Sequence, residues 1–148
     1  MKPGIDHMMM LMAGTLAEKV MPAIPEADYA TGHVRMIALM QVLLAQVVDK
    51  AADILITENA AMRALFADAA SAPVGGLSAR LKEAAATSDA SARLSVLEEG
   101  NAILKVVLID LHKAVEGNEA DWAQKLNRQI LSFLKDSADA RMLVIPAI

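Results

Sequence analysis

The residues from His33 to Ala70 carry the longest periodic signal in the chain. Apolar side chains recur there at every third or fourth position for about ten turns, at roughly 3.6 residues per turn, and this spacing predicts one long helix. We call these residues the long stripe: His33, Ile37, Met40, Leu44, Val48, Ala51, Leu55, Met62, Phe66 and Ala69. The polar residues occupy only about 100° of the helical wheel, so the helix needs packing partners on more than one side. The stripe therefore predicts an all-helical, bundle-like domain.

Four other segments have helical patterns. The predicted helices span residues 5–21, 26–70, 77–86, 91–116 and 118–136. Gly32 leaves a start of the long helix near Thr31 open, and the stripe keeps its phase past Thr57, which favours continuation to Ala70. We therefore predict an all-α fold, an antiparallel up-down bundle of four main helices plus one short helix. It forms a single domain over residues 1–148, a length that suits one core.

The composition limits the classes of function open to the chain. Its net charge is −4 and its 14 basic residues are scattered, whereas nucleic-acid binding needs a basic stripe or aromatic platforms. Without cysteine, the chain has no disulfide and no thiolate metal site. No apolar run is long enough to predict a transmembrane helix, and residues 8–17 lack the flanks of a secretory signal. We expect a cytoplasmic protein that binds no nucleic acid.

A weak internal echo places two asparagines in matching positions. Asn59 and Asn101 are each followed by Ala, two apolar residues and a cation. Both lie about 60° from the centre of their apolar stripes, at the edge of a helix interface. Either the two amides line a polar pocket between helices, or they bond to each other or to a nearby helix backbone and fix the register. The structural alternative is favoured.

The sharpest site hypothesis is an inter-helix pocket lined by His33, Gln41, Asn59, Asn101 and His112. It would make the protein a small-molecule-binding bundle or a small enzyme, with a histidine as the titratable group. No metal is predicted, because no histidine follows a glutamate by three residues as in carboxylate-bridged metal bundles. No catalytic residue and no cofactor is predicted, since nucleophile and phosphate-loop motifs are missing from the sequence.

Two stretches of the sequence carry a resemblance. The first spans residues 22–66 and includes Pro25, Tyr29, Ala30, Gly32, Glu58, Asn59, Met62, Arg63 and Leu65; the second includes Asn101, Leu104, Lys105, Leu108, Leu111 and His112. In these stretches the chain resembles a group of small, uncharacterised, all-helical bacterial proteins. The resemblance implies an accessory role beside enzymes similar to aminoglycoside phosphotransferases or acyl-CoA dehydrogenases, and it implies no catalytic residue.

The patterns favour a non-enzymatic accessory or protein-interaction bundle that forms a homodimer. One bundle of this size does not cover so apolar a central helix, so a second subunit or another protein partner is expected to do so. The apolar tail, residues 141–148, is expected to pack on its own bundle or on the neighbouring subunit. A membrane-surface role for the methionine-rich residues 8–12 is a third alternative.

Overall fold

The computed structural model describes residues 3–25 and 29–145, and these residues form helices and no strand. The α-helices are α1 (Ile5–Thr15), α2 (Ala30–Ala69), α3 (Leu77–Ala85), α4 (Leu94–Val115) and α5 (Asp121–Ala140). A π-helical turn, Leu16–Val20, and a 3-10 turn, Met21–Ala23, follow α1. The predicted all-α class is confirmed for this part of the chain.

The helix bounds differ from the sequence prediction mainly at the two ends of the chain. The first α-helix ends at Thr15, and the backbone then changes pitch before Pro22, which has no N–H to continue a helix. The predicted early start of α2, near Glu26, lies outside the described residues. Helix α2 continues past Thr57 to Ala69. Helix α5 runs four residues beyond the predicted end at 136.

The chain divides into two units, and each is described by itself. Unit 1 comprises residues Met1–Ala51 and Met142–Ile148. Unit 2 comprises Ala52–Arg141. Unit 2 therefore contains the second half of α2 together with α3, α4 and α5.

Unit 2 has a continuous apolar core. Phe66 and Met62 of α2 are fully buried, and the core also takes side chains from α3, α4 and α5: Leu65, Ala69, Ala70, Leu81, Ala84, Leu104, Val107, Leu108, Leu111, Val115, Ala123, Leu126 and Ile130. Trp122 and Phe133 pack against this core while partly exposed. Burial of each large side chain contributes about 1.5–3 kcal/mol, so this core dominates the stability of the unit.

The connection between α4 and α5, residues 116–120, is short and polar. The backbone N–H of Ala120, just before α5, donates to Asn118 Oδ1 at 3.0 Å, and Asp121 occupies the first turn of α5. A carboxylate there interacts favourably with the positive end of the helix dipole. Gly117, with φ +74°, turns the chain between α4 and α5 in a conformation that only glycine adopts without strain.

Unit 1 has a different distribution of apolar side chains. Among its described residues, the buried ones are the alanines Ala13, Ala38 and Ala45. Sixteen large apolar side chains of this unit are exposed: Ile5, Met8, Met10, Leu11, Met12, Tyr29, Met36, Ile37, Met40, Leu44, Val47, Val48, Met142, Leu143, Val144 and Ile145. Among the described residues, unit 1 therefore has no fully buried large apolar side chain, whereas unit 2 has several.

A single glutamine holds the C-terminal segment within unit 1. The Gln46 side chain donates through Nε2 to the Val144 carbonyl at 2.9 Å and accepts the Val144 N–H through Oε1 at 2.9 Å. The amide side chain thus satisfies both backbone groups of Val144. The side chains of Val144 and Ile145 remain 73% exposed.

Within residues 3–25 and 29–145, no helix combines the length and the apolar character that crossing a membrane requires.

Candidate functional site

The long stripe of α2 is buried at one end and exposed at the other. In unit 2, Met62, Phe66 and Ala69 are fully buried. In unit 1, Ile37 and Met40 of the same stripe are 48% and 54% exposed. The sequence predicted that this helix needs packing partners on more than one side and that its own bundle does not cover it completely. The chain covers the part in unit 2 and leaves the part in unit 1 open.

Unit 2 contains a buried polar network centred on two asparagines. Asn59 of α2 is fully buried and Asn101 of α4 is 4% exposed. Asn101 Nδ2 donates to Asn59 Oδ1 at 2.9 Å. The two residues of the predicted internal echo are therefore hydrogen-bonded to each other, as the structural alternative proposed. The pair fixes the register of α2 against α4, because a shift of one helix along the other would leave both buried amides without their hydrogen-bond partners.

The network continues from the asparagines to a buried carboxylate, Glu58. Asn101 Nδ2 donates to Glu58 Oε2 at 3.1 Å. Arg141 donates from both terminal nitrogens to the two carboxylate oxygens, and the Ser137 hydroxyl donates to Oε1. Lys105 Nζ lies 3.8 Å from Oε2. A carboxylate that is only 4% exposed is thus compensated by two cations and fully hydrogen-bonded.

The other end of the network is an ion pair between Arg63 and Asp89. Arg63 donates to both oxygens of Asp89, at 2.6 and 3.2 Å, and to Thr87 Oγ1 at 3.0 Å. Asn59 Nδ2 donates to Asp89 Oδ1 at 3.0 Å. The hydrogen bonds from Arg63 hold the pKa of Asp89 below its ordinary value of 3.8. The loop after α3 is thereby attached to α2.

A surface cavity of about 530 Å³ lies between the second half of α2 and α5. Its apolar lining includes Ile54, Leu65 and Phe133, and the carboxylates that line it are Asp53, Glu58, Asp68 and Asp136. The volume is within the range of small-molecule sites. Its acidic character would favour a cationic occupant over an anionic one.

The network offers no reactive group for catalysis. Both of its carboxylates are neutralised by arginines, and the donors of the two asparagine amides are already used within the network. A general base or nucleophile needs an unengaged lone pair within reach of a substrate. The arrangement connects α2, α4, α5 and the loop at residues 87–89, which is a structural role.

Three of the five residues of the predicted pocket, Asn59, Asn101 and His112, belong to unit 2. His112 is half-buried on α4, about 16 Å along the helix from Asn101 at 1.5 Å per residue. His33 and Gln41 belong to unit 1. His33 is exposed, and its ring packs edge-on against Tyr29 with centroids 4.6 Å apart.

The predicted pocket omitted seven side chains of the network: Glu58, Arg63, Thr87, Asp89, Lys105, Ser137 and Arg141. Charged residues are by default expected at the surface. A signal was present in the spacing, because Arg63 follows Asn59 by four residues and shares its helix face, as Lys105 does for Asn101.

No metal site is evident in the described part of the chain. Among residues 3–25 and 29–145, no three acidic or histidine side chains lie close enough together to hold a metal ion.

Comparison of the chain with protein-family models, with curated proteins and with solved structures gave no significant match.

Proposed function

We propose that the protein is a non-enzymatic interaction protein that pairs with a second copy of itself through the first half of α2. The observation that supports this proposal is the exposed half of the long stripe. Ile37, Met40 and Leu44 are 48%, 54% and 43% exposed, although the same stripe forms the core of unit 2. Large contiguous apolar patches on a protein surface mark interaction sites.

The spacing of the exposed residues favours another helix as the occupant. His33, Ile37, Met40, Leu44 and Val47 follow one another at intervals of four and three residues. This alternation is the heptad pattern by which two helices pack knobs into holes. A second copy of α2 presents the same pattern, so that one patch can pair with itself about a twofold axis.

The exposed apolar surface of the first half of α2 and of the rest of unit 1 together matches the size of a dimer interface. Burial of one large apolar side chain removes roughly 60–120 Å² of apolar surface, taking about 1.5–3 kcal/mol per side chain at about 25 cal/mol per Å². The first half of α2 exposes six such side chains at about half exposure, and these offer roughly 200–400 Å² per copy. A standard interface of about 800 Å² per partner would therefore also include other exposed side chains of unit 1.

The proposal includes the finer architecture predicted from the sequence, an antiparallel bundle of four main helices and one short helix within one domain. Short connections support it, because only residues 116–120 separate α4 from α5 and short connections favour antiparallel neighbours. We also retain a cytoplasmic location and an accessory role as parts of the proposal.

The alternative, a small-molecule site at His33, Gln41, Asn59, Asn101 and His112, has less support. The two asparagines hydrogen-bond to each other and to the two carboxylates of the network. A ligand would have to break these bonds, and each unsatisfied buried group costs about 1–3 kcal/mol.

Sedimentation equilibrium of the full chain tests the proposal. We expect a dimer at micromolar concentration, and we expect Met40→Glu to shift it to monomer by placing a charge in the paired surface. Ile103→Glu is the matched control, since Ile103 is 61% exposed on α4 of unit 2. This control should remain dimeric. A monomeric wild type, or equal behaviour of the two variants, would overturn the proposal.

A further inference from the structure

The methionines of this chain are distributed very unevenly between the two units. Unit 2 contains Met62 alone, and the others belong to unit 1: Met1, Met8, Met9, Met10, Met12, Met21, Met36, Met40 and Met142. Met62 is fully buried, whereas Met36 and Met40 are 62% and 54% exposed. Two of the thioether groups open to solvent thus lie on the surface proposed to pair, and the other exposed ones among the described residues belong to Met8, Met10, Met12 and Met142.

A peroxide converts an exposed thioether into a sulfoxide. The methionine sulfur attacks one peroxide oxygen, an S–O bond forms and the O–O bond breaks. The sulfur is oxidised by two electrons, the peroxide is reduced, and water leaves when the peroxide is hydrogen peroxide. The product is polar, and sulfoxide reductases reverse the change.

We propose that Met36 and Met40 form a reversible oxidation switch that dissociates the dimer. This inference rests on the proposed self-association. The two residues are four apart, so their side chains are neighbours on the helix surface. Met40 occupies one of the heptad positions, and Met36 directly precedes another, Ile37. A sulfoxide at either position would bring a strong hydrogen-bond acceptor into an apolar interface, where it has no donor.

Pairing and oxidation oppose each other. The thioethers are accessible in the single chain and covered in the dimer, so pairing protects them and oxidation removes the chain from the dimer pool. Met62 provides an internal reference, because a fully buried thioether stays unreactive while unit 2 is folded. We expect sulfoxides at Met36 and Met40 to raise the dimer dissociation constant at least about tenfold.

The experiment treats the full chain with hydrogen peroxide. Peptide mass spectrometry locates the sulfoxides, and sedimentation equilibrium gives the dissociation constant. We expect sulfoxides at Met36 and Met40 but not at Met62, dissociation of the dimer, and recovery after treatment with methionine sulfoxide reductases. Met36→Leu/Met40→Leu keeps the surface apolar and cannot be oxidised there. This variant should pair, and it should stay paired in peroxide.

A matched control separates these two positions from two exposed methionines of α1. Met10→Leu/Met12→Leu removes two exposed thioethers of α1, and this variant should still dissociate in peroxide. A second measurement compares oxidation rates at protein concentrations below and above the dissociation constant. The rates at Met36 and Met40 should fall at the higher concentration.

The results distinguish the two proposals. An untreated chain that is monomeric at all concentrations overturns the proposed function and this inference together. A dimer that persists with sulfoxides at both positions, dissociation that only the α1 variant prevents, or oxidation rates independent of concentration overturns the inference alone.

Discussion

Asn101 is the residue on which the buried network depends most. It donates to Asn59 Oδ1 and to Glu58 Oε2, so its single amide group serves acceptors from two neighbouring positions of α2. Buried polar networks are stabilising only while every member is satisfied, since an unpaired group in a low dielectric has no water to replace its partner. The contributions of the network side chains to the stability of unit 2 therefore depend on one another.

The variant Asn101→Leu should destabilise unit 2 by about 1–3 kcal/mol, because it leaves the buried Asn59 Oδ1 without a donor and removes one of the donors to Glu58 Oε2. Urea unfolding followed by the fluorescence of Trp122 measures the loss, since Trp122 is the only tryptophan in the sequence and lies in unit 2.

Asn127→Leu is the matched control for this substitution. Asn127 Oδ1 is buried without a hydrogen-bond partner, and its removal should change the stability by less than about 1 kcal/mol. An equal loss in the two variants would show that the asparagine pair contributes nothing specific.

The stability of unit 2 should depend on pH through Asp89. The hydrogen bonds from Arg63 lower the pKa of Asp89 below 3.8 in the folded state, so the unfolded state binds the proton first. The contribution is present above 3.8 and is lost as the pH falls through the lower, folded-state pKa. Asp89→Asn should be less stable than wild type at neutral pH and should lose less stability on acidification.

Urea unfolding at several pH values measures this difference. Asp68→Asn, at an exposed carboxylate, should keep the acid dependence of the wild type. If Asp89→Asn lost as much stability on acidification as the wild type, the acid dependence of unit 2 would not come from Asp89.

At the scale of the helices, the sequence pattern predicted each α-helix of the described residues and most of their bounds, but not the π-helical and 3-10 turns after α1. Periodicity reports which face is apolar, and it therefore identified α2, α3 and α4 closely. It does not report whether a partner covers that face. Ile37 and Phe66 are equivalent in the pattern, yet one is half exposed and the other fully buried.

The candidate site was predicted only in its centre. Asn59 and Asn101 were found because each is a polar residue beside an apolar stripe at a matching position. Arg141 lies 83 residues from Glu58 in sequence, and no local pattern links residues so far apart. Only the folded chain brings such groups together.

Replacing two glycines of α4 and its C-terminal turn by alanine should change the stability of unit 2 in opposite directions. Gly117 has φ +74° after α4, so Gly117→Ala should destabilise unit 2 by about 1 kcal/mol or more. Gly100 lies inside α4, and an added Cβ there would sit at an ordinary contact distance, 3.7 Å, from Asp89 Oδ1.

Gly100→Ala should therefore stabilise unit 2 by about 0.5–1 kcal/mol through helix propensity. The fluorescence of Trp122 during urea unfolding reports both variants. A loss of stability in Gly100→Ala would indicate that α4 and the loop at residues 87–89 are packed more tightly than the structure shows.

At the scale of the whole molecule, the two units differ in how many large apolar side chains they bury. The core of unit 2 is formed by side chains of unit 2, and Phe66, Leu111 and Ile130 are fully buried in it. Unit 1 buries only alanines among its described residues, so the proposed second copy would contribute much of its stability.

Thermal unfolding of the wild type should therefore depend on protein concentration. Dimerisation stabilises by mass action, so the Tm of the wild type should rise over a hundredfold increase in concentration. Circular dichroism measures it, and Met40→Glu should show a constant Tm. A wild-type Tm that does not change would contradict pairing as a source of stability.

The division of α2 also has a consequence for mutational tolerance. A library selected only for the folding of unit 2 would accept polar replacements at Met36, Met40 and Leu44 and reject them at Met62 and Phe66. A library selected for association would reject them in both halves. The ratio of the two tolerance profiles along this one helix would separate residues retained for the fold from residues retained for the partner.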